Sequence, residues 1–418
     1  MKPALAVLFD VGTPPTEVGQ GAAEVSRPVF VLGTSGTARA SRQILEMSGP
    51  VVSLADGVDD VVRSLRCARV AGVTTFSERL LGVTALIAAE LGLPYHDAGV
   101  VALLTDKFAQ RRRLRETGVS GVCSVLLSPS EDWVGASERF PLPAVIKPVR
   151  GEGSRATHLL TDREQAAKVI AGLGRYSDEP FVLEEFIAGR DESPFGDYVS
   201  VECAVVEGEV FPIAVAGKWA MLPPFRESGQ FWPARIGAAE EAQVIRLASQ
   251  ALAALGVRTG LLHVEIKLTS RGPQVLEVNG RLGGRQWDLS RRAMRVDLIE
   301  MGCRLALGES MRPARYQGGR VYFQRFCVPP RTPCTFLGVD GISEAVAHDG
   351  IMGYRRFSGR GAEFDGGVAT TMIGMLLGDA EDHAAMLEVC AAALSELWFT
   401  FRDSRGIARL RGDELVRC

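Results

Sequence analysis

Between His263 and Arg281 the chain places two carboxylates, an amide and two basic groups at spacings that could hold a magnesium nucleotide. Apolar and polar residues alternate on both sides of Ser270-Arg271-Gly272, which is the period of a strand with one buried side. A three-residue turn with Gly272 at positive φ pairs Thr269 with Pro273, setting Glu265 opposite Glu277 and His263 opposite Asn279 on one face. Like charges directly across a ladder destabilise it unless something neutralises them. A divalent cation would do so, and magnesium shared between carboxylates and phosphate oxygens suits this donor set. A solvated hairpin face shows the same alternation, and a one-residue slip would turn these side chains to the opposite side.

Lysine is rare, with only Lys2, Lys107, Lys147, Lys168, Lys218 and Lys267 in the chain, so a lysine in a segment with chemical character carries information. Lys147 closes the apolar run Ala144-Val145-Ile146-Lys147-Pro148 just ahead of Arg150-Gly151-Glu152-Gly153-Ser154-Arg155. Its ammonium could meet a phosphate cradled by the loop N–H groups, which glycine lets approach closely. Gly-x-Gly-Ser is weak alone and gains weight in order with Lys147, Glu184-Glu185 and the carboxylate hairpin. By contrast, Gly33-Thr34-Ser35-Gly36-Thr37 lacks the lysine and spacing of a P-loop and reads as a structural turn.

Several elements must position these groups. Runs at 5–9, 29–32, 51–54 and 70–74 read as buried strands, and 58–66 and 78–91 as helices, an alternation that predicts a parallel sheet covered by helices. From Thr105 onward the spacing predicts a helix over 106–117, extended segments at 121–127, 144–148 and 157–160, a helix over 162–173 and a strand at 181–185. Alternating segments fill 198–215, and a helix over 238–255 leads into the hairpin. Residues 218–236 have no clear period but carry Trp219, Phe225, Arg226, Phe231 and Trp232, and a long irregular loop of this kind usually covers or shapes a site. Beyond Arg320 the pattern is mixed α/β and glycine-rich, with no recognisable chemistry. The domains expected are 1–104, 105–185, 186–310 and 311–418.

At 418 residues the chain is long enough for two or three domains. A net charge of −3 gives no indication of nucleic-acid or anionic-membrane partners, and Arg111-Arg112-Arg113 reads as a solvated helix face. No apolar run reaches the roughly 18 residues that would span a bilayer. Eight cysteines without a Cys-x-x-Cys pair predict buried free thiols in a reducing cytoplasm, and zinc is not expected.

The order Asp106-Lys107, Val145-Ile146-Lys147-Pro148, Gly151-Glu152-Gly153-Ser154, Glu184-Glu185-Phe186-Ile187 and Glu265…Glu277-x-Asn279-x-Arg281 resembles the ATP-grasp superfamily. Within it, the carboxylate–amine ligases that include bacterial L-amino-acid (dipeptide) ligases are the most similar. The resemblance implies an N-terminal Rossmann-like α/β domain, a two-lobed α+β ATP-binding region and a C-terminal α/β subdomain completing the large lobe. It assigns nucleotide contacts to Lys107, Lys147, Gly151, Gly153, Ser154, Glu184, Glu185, Phe186 and Ile187. It assigns metal ligation to Glu265, Glu277 and Asn279, and catalysis to Arg281 with Lys147. It further implies ATP and two magnesium ions, with manganese as a substitute, small-molecule acid and amine substrates, a homodimer, and an acyl phosphate that an amine converts to an amide, for example in natural-product biosynthesis.

Substrate contacts are expected from His263, Arg226, Arg285, Trp232 and Trp287, with Trp219 and Phe231 joining the two tryptophans around a side-chain pocket; core packing is the competing role for all four aromatics. His263 is either a base for the amine or a hydrogen-bonded strand residue beside the metal, the second being the expectation. Gln230 stands where relatives carry a histidine, and Arg285 and Trp287 are particular to this chain. A biotin-carboxylase-like ligase, disfavoured by the lack of a Met-Lys-Met carrier, and a nucleotide-binding regulator without turnover remain alternatives.

Overall fold

The computed structural model describes residues 2–129, 133–173 and 178–416. At the N-terminus the strands Val51–Ser53, Arg27–Leu32, Ala4–Phe9 and Val70–Thr75 lie in that order in an all-parallel sheet. The runs 4–9, 28–32 and 72–75 are buried on both faces, as a helix-covered parallel sheet requires, and the edge strand Val51–Ser53 is half-buried. Helices Val58–Ala68 and Leu81–Leu91 lie where the periodicity predicts them. Helices Pro15–Val25 and Ala98–Thr105 were not predicted: Gly19 and Gly21 dilute the signal of the first, and the second is too apolar to show a polar face. In the 33–37 turn Ser35 caps the five-residue helix Gly36–Ala40 by accepting the Ala38 N–H.

A second, antiparallel sheet runs Ser124–Leu127, Phe181–Glu185, Ala144–Pro148, His158–Leu160. Beside it lies the helix Lys107–Glu116, begun by Asp106, whose carboxylate accepts the Ala109 N–H at 2.8 Å. The third sheet has eight strands, ordered Gly272–Asn279, Gly260–Thr269, Phe195–Val206, Glu209–Trp219, Gly229–Trp232, Val321–Cys327, Gly374–Ala380 and Ile351–Arg356. The stretch 218–236 therefore contains a short strand, Gly229–Trp232, that joins the middle of the chain to its C-terminal part. Four residues bracketed by prolines and glycine are too few to show a period. A fourth sheet, including Cys334–Asp340 and Trp398–Asp403, shares an apolar core with strands of the eight-stranded sheet, among them Val321–Cys327 and Gly374–Ala380.

The hairpin departs from the expected register at its turn and returns to it at the site. Thr269 pairs with Gly272, not Pro273, so the turn is the two residues Ser270-Arg271, and Gly272 follows it at φ +102°. One extra residue, Leu276, bulges from the second strand. The bulge shifts the pairing by one, and Glu265 faces Glu277 and His263 faces Asn279 after all.

Described cysteines are all free thiols, buried at 203, 303, 327, 334 and 390; Cys67 is exposed, Cys123 half-buried, and Cys418 lies outside the described residues. Among the described residues no helix is long and apolar enough to cross a membrane.

Candidate functional site

A cavity of about 550 Å³ lies between the second sheet and the eight-stranded sheet, with Val11–Pro14 and Phe76 of the N-terminal region along its rim. Of the residues singled out from the sequence, Lys107, Lys147, Gly151, Gly153, Ser154, Glu184–Ile187, His263, Glu265, Glu277, Asn279, Arg281, Arg285 and Trp287 line it.

One wall is organised by the helix Lys107–Glu116. Lys107 Nζ donates to Glu277 Oε1 at 2.6 Å and to the Gly151 carbonyl at 2.7 Å. Burial disfavours its charge, but Glu277 and Glu78 overcome that and raise its pKa, so the ammonium stays protonated. The strand Gly272–Asn279 is a sheet edge, and its unpaired backbone groups are met by this helix. Gln110 donates to the Val278 carbonyl and accepts the Val278 N–H, both at 2.8 Å. Arg111 donates to the carbonyls of Val275 and of the bulged Leu276 at 2.8 and 2.7 Å. Arg111 is thus buried, contrary to the expectation of a solvated arginine face, while Arg112 and Arg113 are exposed.

Glu184 ties this wall to the glycine loop's strand. Its two carboxylate oxygens lie 3.3 Å from Arg111 and 2.8 Å from Lys147. Burial would raise its pKa, yet the two cations bring it down to about 2. Both oxygens being engaged, Glu184 aims Lys147, whereas the exposed Glu185 side chain and the Phe186–Ile187 segment remain on the cavity wall. The loop itself is closed across the cavity: Ser154 Oγ donates to the Phe225 carbonyl and the Thr370 N–H donates to the Gly153 carbonyl, each at 2.9 Å. Thr370 comes from the C-terminal segment in which the sequence showed no chemistry.

On the neighbouring strand Gly260–Thr269, His263 Nδ1 sits 2.5 Å from Glu202 Oε1, and Nε2 lies 3.2 Å from Glu265 Oε1. Burial works against a charged ring, but the carboxylates outweigh it and lift His263 to about 9, so at neutral pH it is an imidazolium with both N–H groups directed at carboxylates. Glu265 is correspondingly held near pKa 2, burial being overcome by His263 and by the Lys218 and Arg281 charges. Glu202 also accepts the Gly283 N–H at 3.3 Å. A Cβ at Gly283 would lie 2.3 Å from His263 Nδ1, so only glycine lets the 282–285 turn pass this close. Arg281 reaches back to Glu78 at 3.0 Å and Glu152 at 3.2 Å, joining the N-terminal domain and the glycine loop.

Oε2 of Glu265, Oε2 of Glu277 and the Asn279 amide accept no protein hydrogen bond among the described residues, and all three residues line the cavity. These are two ionisable carboxylates and a neutral oxygen donor, hard ligands of the kind magnesium takes. Among the described residues no group of three His, Cys, Asp or Glu side chains gathers as a metal centre.

Two expected substrate residues do not reach the cavity. Trp232 is fully buried and donates its indole N–H to Gln286 at 2.7 Å, and Arg226 is buried with a hydrogen bond of 2.7 Å to the Pro329 carbonyl. Trp219 and Phe231 likewise pack in the core, leaving Trp287 as the one of the four aromatics on the cavity wall. The reason is strand geometry: Trp232 and Gln230 leave the strand Gly229–Trp232 in the same direction, and the polar end of that face is taken by glutamines. Replacing Trp232 by alanine is therefore expected to cost about 3–5 kcal/mol of stability, read as a drop in urea midpoint, with substrate KM values unchanged.

Residues missed from the sequence are Glu78, Arg111, Glu202, Lys218, Gln324 and Thr370. Lys218 lines the cavity with its ammonium 3.1 Å from Gln230 Oε1, and its type alone, in a chain so poor in lysine, was a usable signal. Arg111 lies one turn beyond Lys107 on the same helix, and the other four lie far in sequence from any motif.

Residues 105–285 match the ATP-grasp domain family. Alanine–anticapsin ligase of Bacillus subtilis is 26% identical over 263 residues, covering 58% of this chain and 55% of that protein. Carnosine synthase 1 of Mus musculus is 28% identical over 262 residues, 57% of this chain and 31% of its own length. The chain thus aligns with about half or less of these curated relatives. The crystal structure of an L-amino acid ligase from Bacillus licheniformis superposes with a TM-score of 0.76 at 19% identity, over 95% of this chain and 98% of that one, which establishes a shared fold.

Proposed function

We propose that this chain, whose residues 105–285 match the ATP-grasp domain family, is an ADP-forming carboxylate–amine ligase that joins an amino acid, or a related acid, to an amine. The observation that carries this reading is the meeting, in one cavity, of Lys107, Lys147 and the closed glycine loop with the Glu265, Glu277, Asn279 and Arg281 cluster. Positive charge and backbone N–H groups on one wall suit a triphosphate, and hard oxygen donors facing them suit its counter-ion. The names of alanine–anticapsin ligase and carnosine synthase point to amino-acid substrates.

In this reading the loop from Gly151 to Ser154 covers the phosphates, Lys107 and Lys147 neutralise their oxygens, and the Glu185–Ile187 segment borders the base and ribose. Glu265, Glu277 and Asn279 would hold magnesium, which supplies positive charge to the transferring phosphoryl group. A substrate carboxylate oxygen attacks the terminal phosphorus and ADP leaves; the amine nitrogen then attacks the acyl carbon, inorganic phosphate leaves with the C–O bond, and the amine proton passes to solvent. Arg281 stabilises negative charge on the acyl group. His263, already protonated, positions Glu265 and does not serve as the base.

The test is turnover of ATP with magnesium and pooled amino acids, following nucleotides and phosphate and searching for a new amide by mass. Amino-acid-dependent ADP and phosphate with a condensed product is the expected result. AMP and pyrophosphate would overturn the acyl-phosphate route, and nucleotide binding without turnover on any acid would favour a regulator.

A further inference from the structure

Several cations on the cavity wall face a carboxylate of the chain itself: Lys107 faces Glu277, Lys147 and Arg111 face Glu184, and Arg281 faces Glu78 and Glu152. Arg285 does not. Among the described residues its guanidinium makes no ion pair and no hydrogen bond, and Nη1 is a buried donor without an acceptor. Asp288 is close enough to influence it, but Asp288 Oδ2 already accepts from Arg292 at 2.8 Å and from Gln324 at 2.8 Å. Arg355, packed on the Trp287 ring, adds like charge at the same end of the cavity.

The side chain is nevertheless held in place. Its guanidinium carbon sits 3.9 Å from the centre of the Phe357 ring, a stacking geometry that fixes the plane of the fork and leaves its edge to hydrogen-bond. Its backbone is in the left-handed region, φ 61°, a conformation that costs a non-glycine residue free energy. Glutamines maintain it: Gln324 donates to the Arg285 carbonyl at 3.1 Å and Gln230 to the Gly284 carbonyl at 2.7 Å. Burial draws its pKa down to about 10, which leaves it charged at neutral pH. A half-buried cation pinned at a cavity wall without a counter-ion in the chain calls for one from outside.

We propose that Arg285, stacked on Phe357, is the receptor for a substrate carboxylate that does not react, so that at least one of the two molecules joined carries a second, free carboxylate. The flat fork suits a carboxylate bound through two parallel hydrogen bonds. Two sources share that chemistry, the α-carboxylate of an amino acid serving as the amine and the side-chain carboxylate of an acidic amino acid. The proposal rests on the ligase reading only for the word substrate, because its test is a binding measurement.

Protein loaded with ADP and magnesium is titrated calorimetrically with L-alanine against L-alaninamide and with L-glutamate against L-glutamine, for the wild type, Arg285→Gln and Arg285→Lys; ADP affinity serves as the folding control. In at least one pair the wild type should bind the carboxylate member about 10- to 100-fold more tightly, the range of a charge-assisted contact. That advantage should vanish in Arg285→Gln and be partly kept in Arg285→Lys. Loss in the alanine pair alone identifies the α-carboxylate, and loss in the glutamate pair identifies the side chain. An advantage that survives in Arg285→Gln, its absence in the wild type, or no binding of any of the four ligands overturns the proposal. Turnover without amide formation, by contrast, would sink the ligase reading and leave this result standing.

Discussion

Glu277→Gln is expected to lower ATP turnover by about 10³-fold while the protein stays folded, the order of loss when a pre-organised charge at a reacting centre is removed. The amide keeps the size and hydrogen-bonding shape of the carboxylate, so the pairing of the strand Gly272–Asn279 with Gly260–Thr269 does not depend on the change. What disappears is the negative charge opposite Glu265, together with the ion pair that holds Lys107 at 2.6 Å. Lys107 keeps its hydrogen bond to the Gly151 carbonyl, so the loop stays anchored and nucleotide binding should weaken less than turnover. Initial rates of ADP release over a range of magnesium concentrations, beside an unfolding curve, make the measurement. Turnover equal to the wild type at every magnesium level would remove Glu277 from the metal site.

Glu184→Gln carries the second large effect, and it falls on stability. In the native protein its carboxyl is depressed to about 2 from an ordinary value of 4.5. That difference corresponds to about 3 kcal/mol, in line with the cost of breaking a buried ion pair from one side. The sign follows from the depression: the contribution is fully present above pH 4.5 and is lost as the pH falls through about 2. The glutamine variant leaves Arg111 and Lys147 without their shared anion. Its urea midpoint should lie well below that of the wild type at pH 7, with the gap closing as the pH drops from 4.5 toward 2. A gap as wide at pH 2.5 as at pH 7 would show that the carboxylate charge is not what stabilises this wall.

The nucleotide residues and the carboxylate hairpin were legible because each is a local pattern: two lysines at helix and strand ends, a glycine loop, and an alternation that brings every second side chain to one face. Even the wrong turn was harmless at the site. Moving from a three-residue to a two-residue turn shifts the register by one, and Leu276 restores it by bulging out, where Arg111 takes its carbonyl. No local rule announces that bulge, since its cause is a helix more than 150 residues away in sequence.

The aromatic loop shows the opposite case. Trp232 and Arg226 looked like substrate residues because they are large or charged in a stretch without a period, but the short strand Gly229–Trp232 lies between Glu209–Trp219 and Val321–Cys327 and pairs with both. Pairing turns Trp232 into the core and Gln230 toward Gln286, Gln324 and the Gly284 carbonyl. Residue type cannot distinguish a buried tryptophan from a cavity wall; the neighbouring strand decides it.

By itself, then, the order of residues determined the ATP-grasp architecture and the basic and acidic segments that meet at the cavity, because short-range periodicity and motif spacing act within one element; the facing pairs Glu265–Glu277 and His263–Asn279 also needed the bulge at Leu276. Tertiary structure alone decided the charge state of His263 between Glu202 and Glu265, the burial of Arg111, the closure of the glycine loop by Thr370 and the unpaired state of Arg285. Those outcomes depend on which charges and carbonyls lie within a few ångströms of one another, and such distances exist only once segments remote in sequence have packed together.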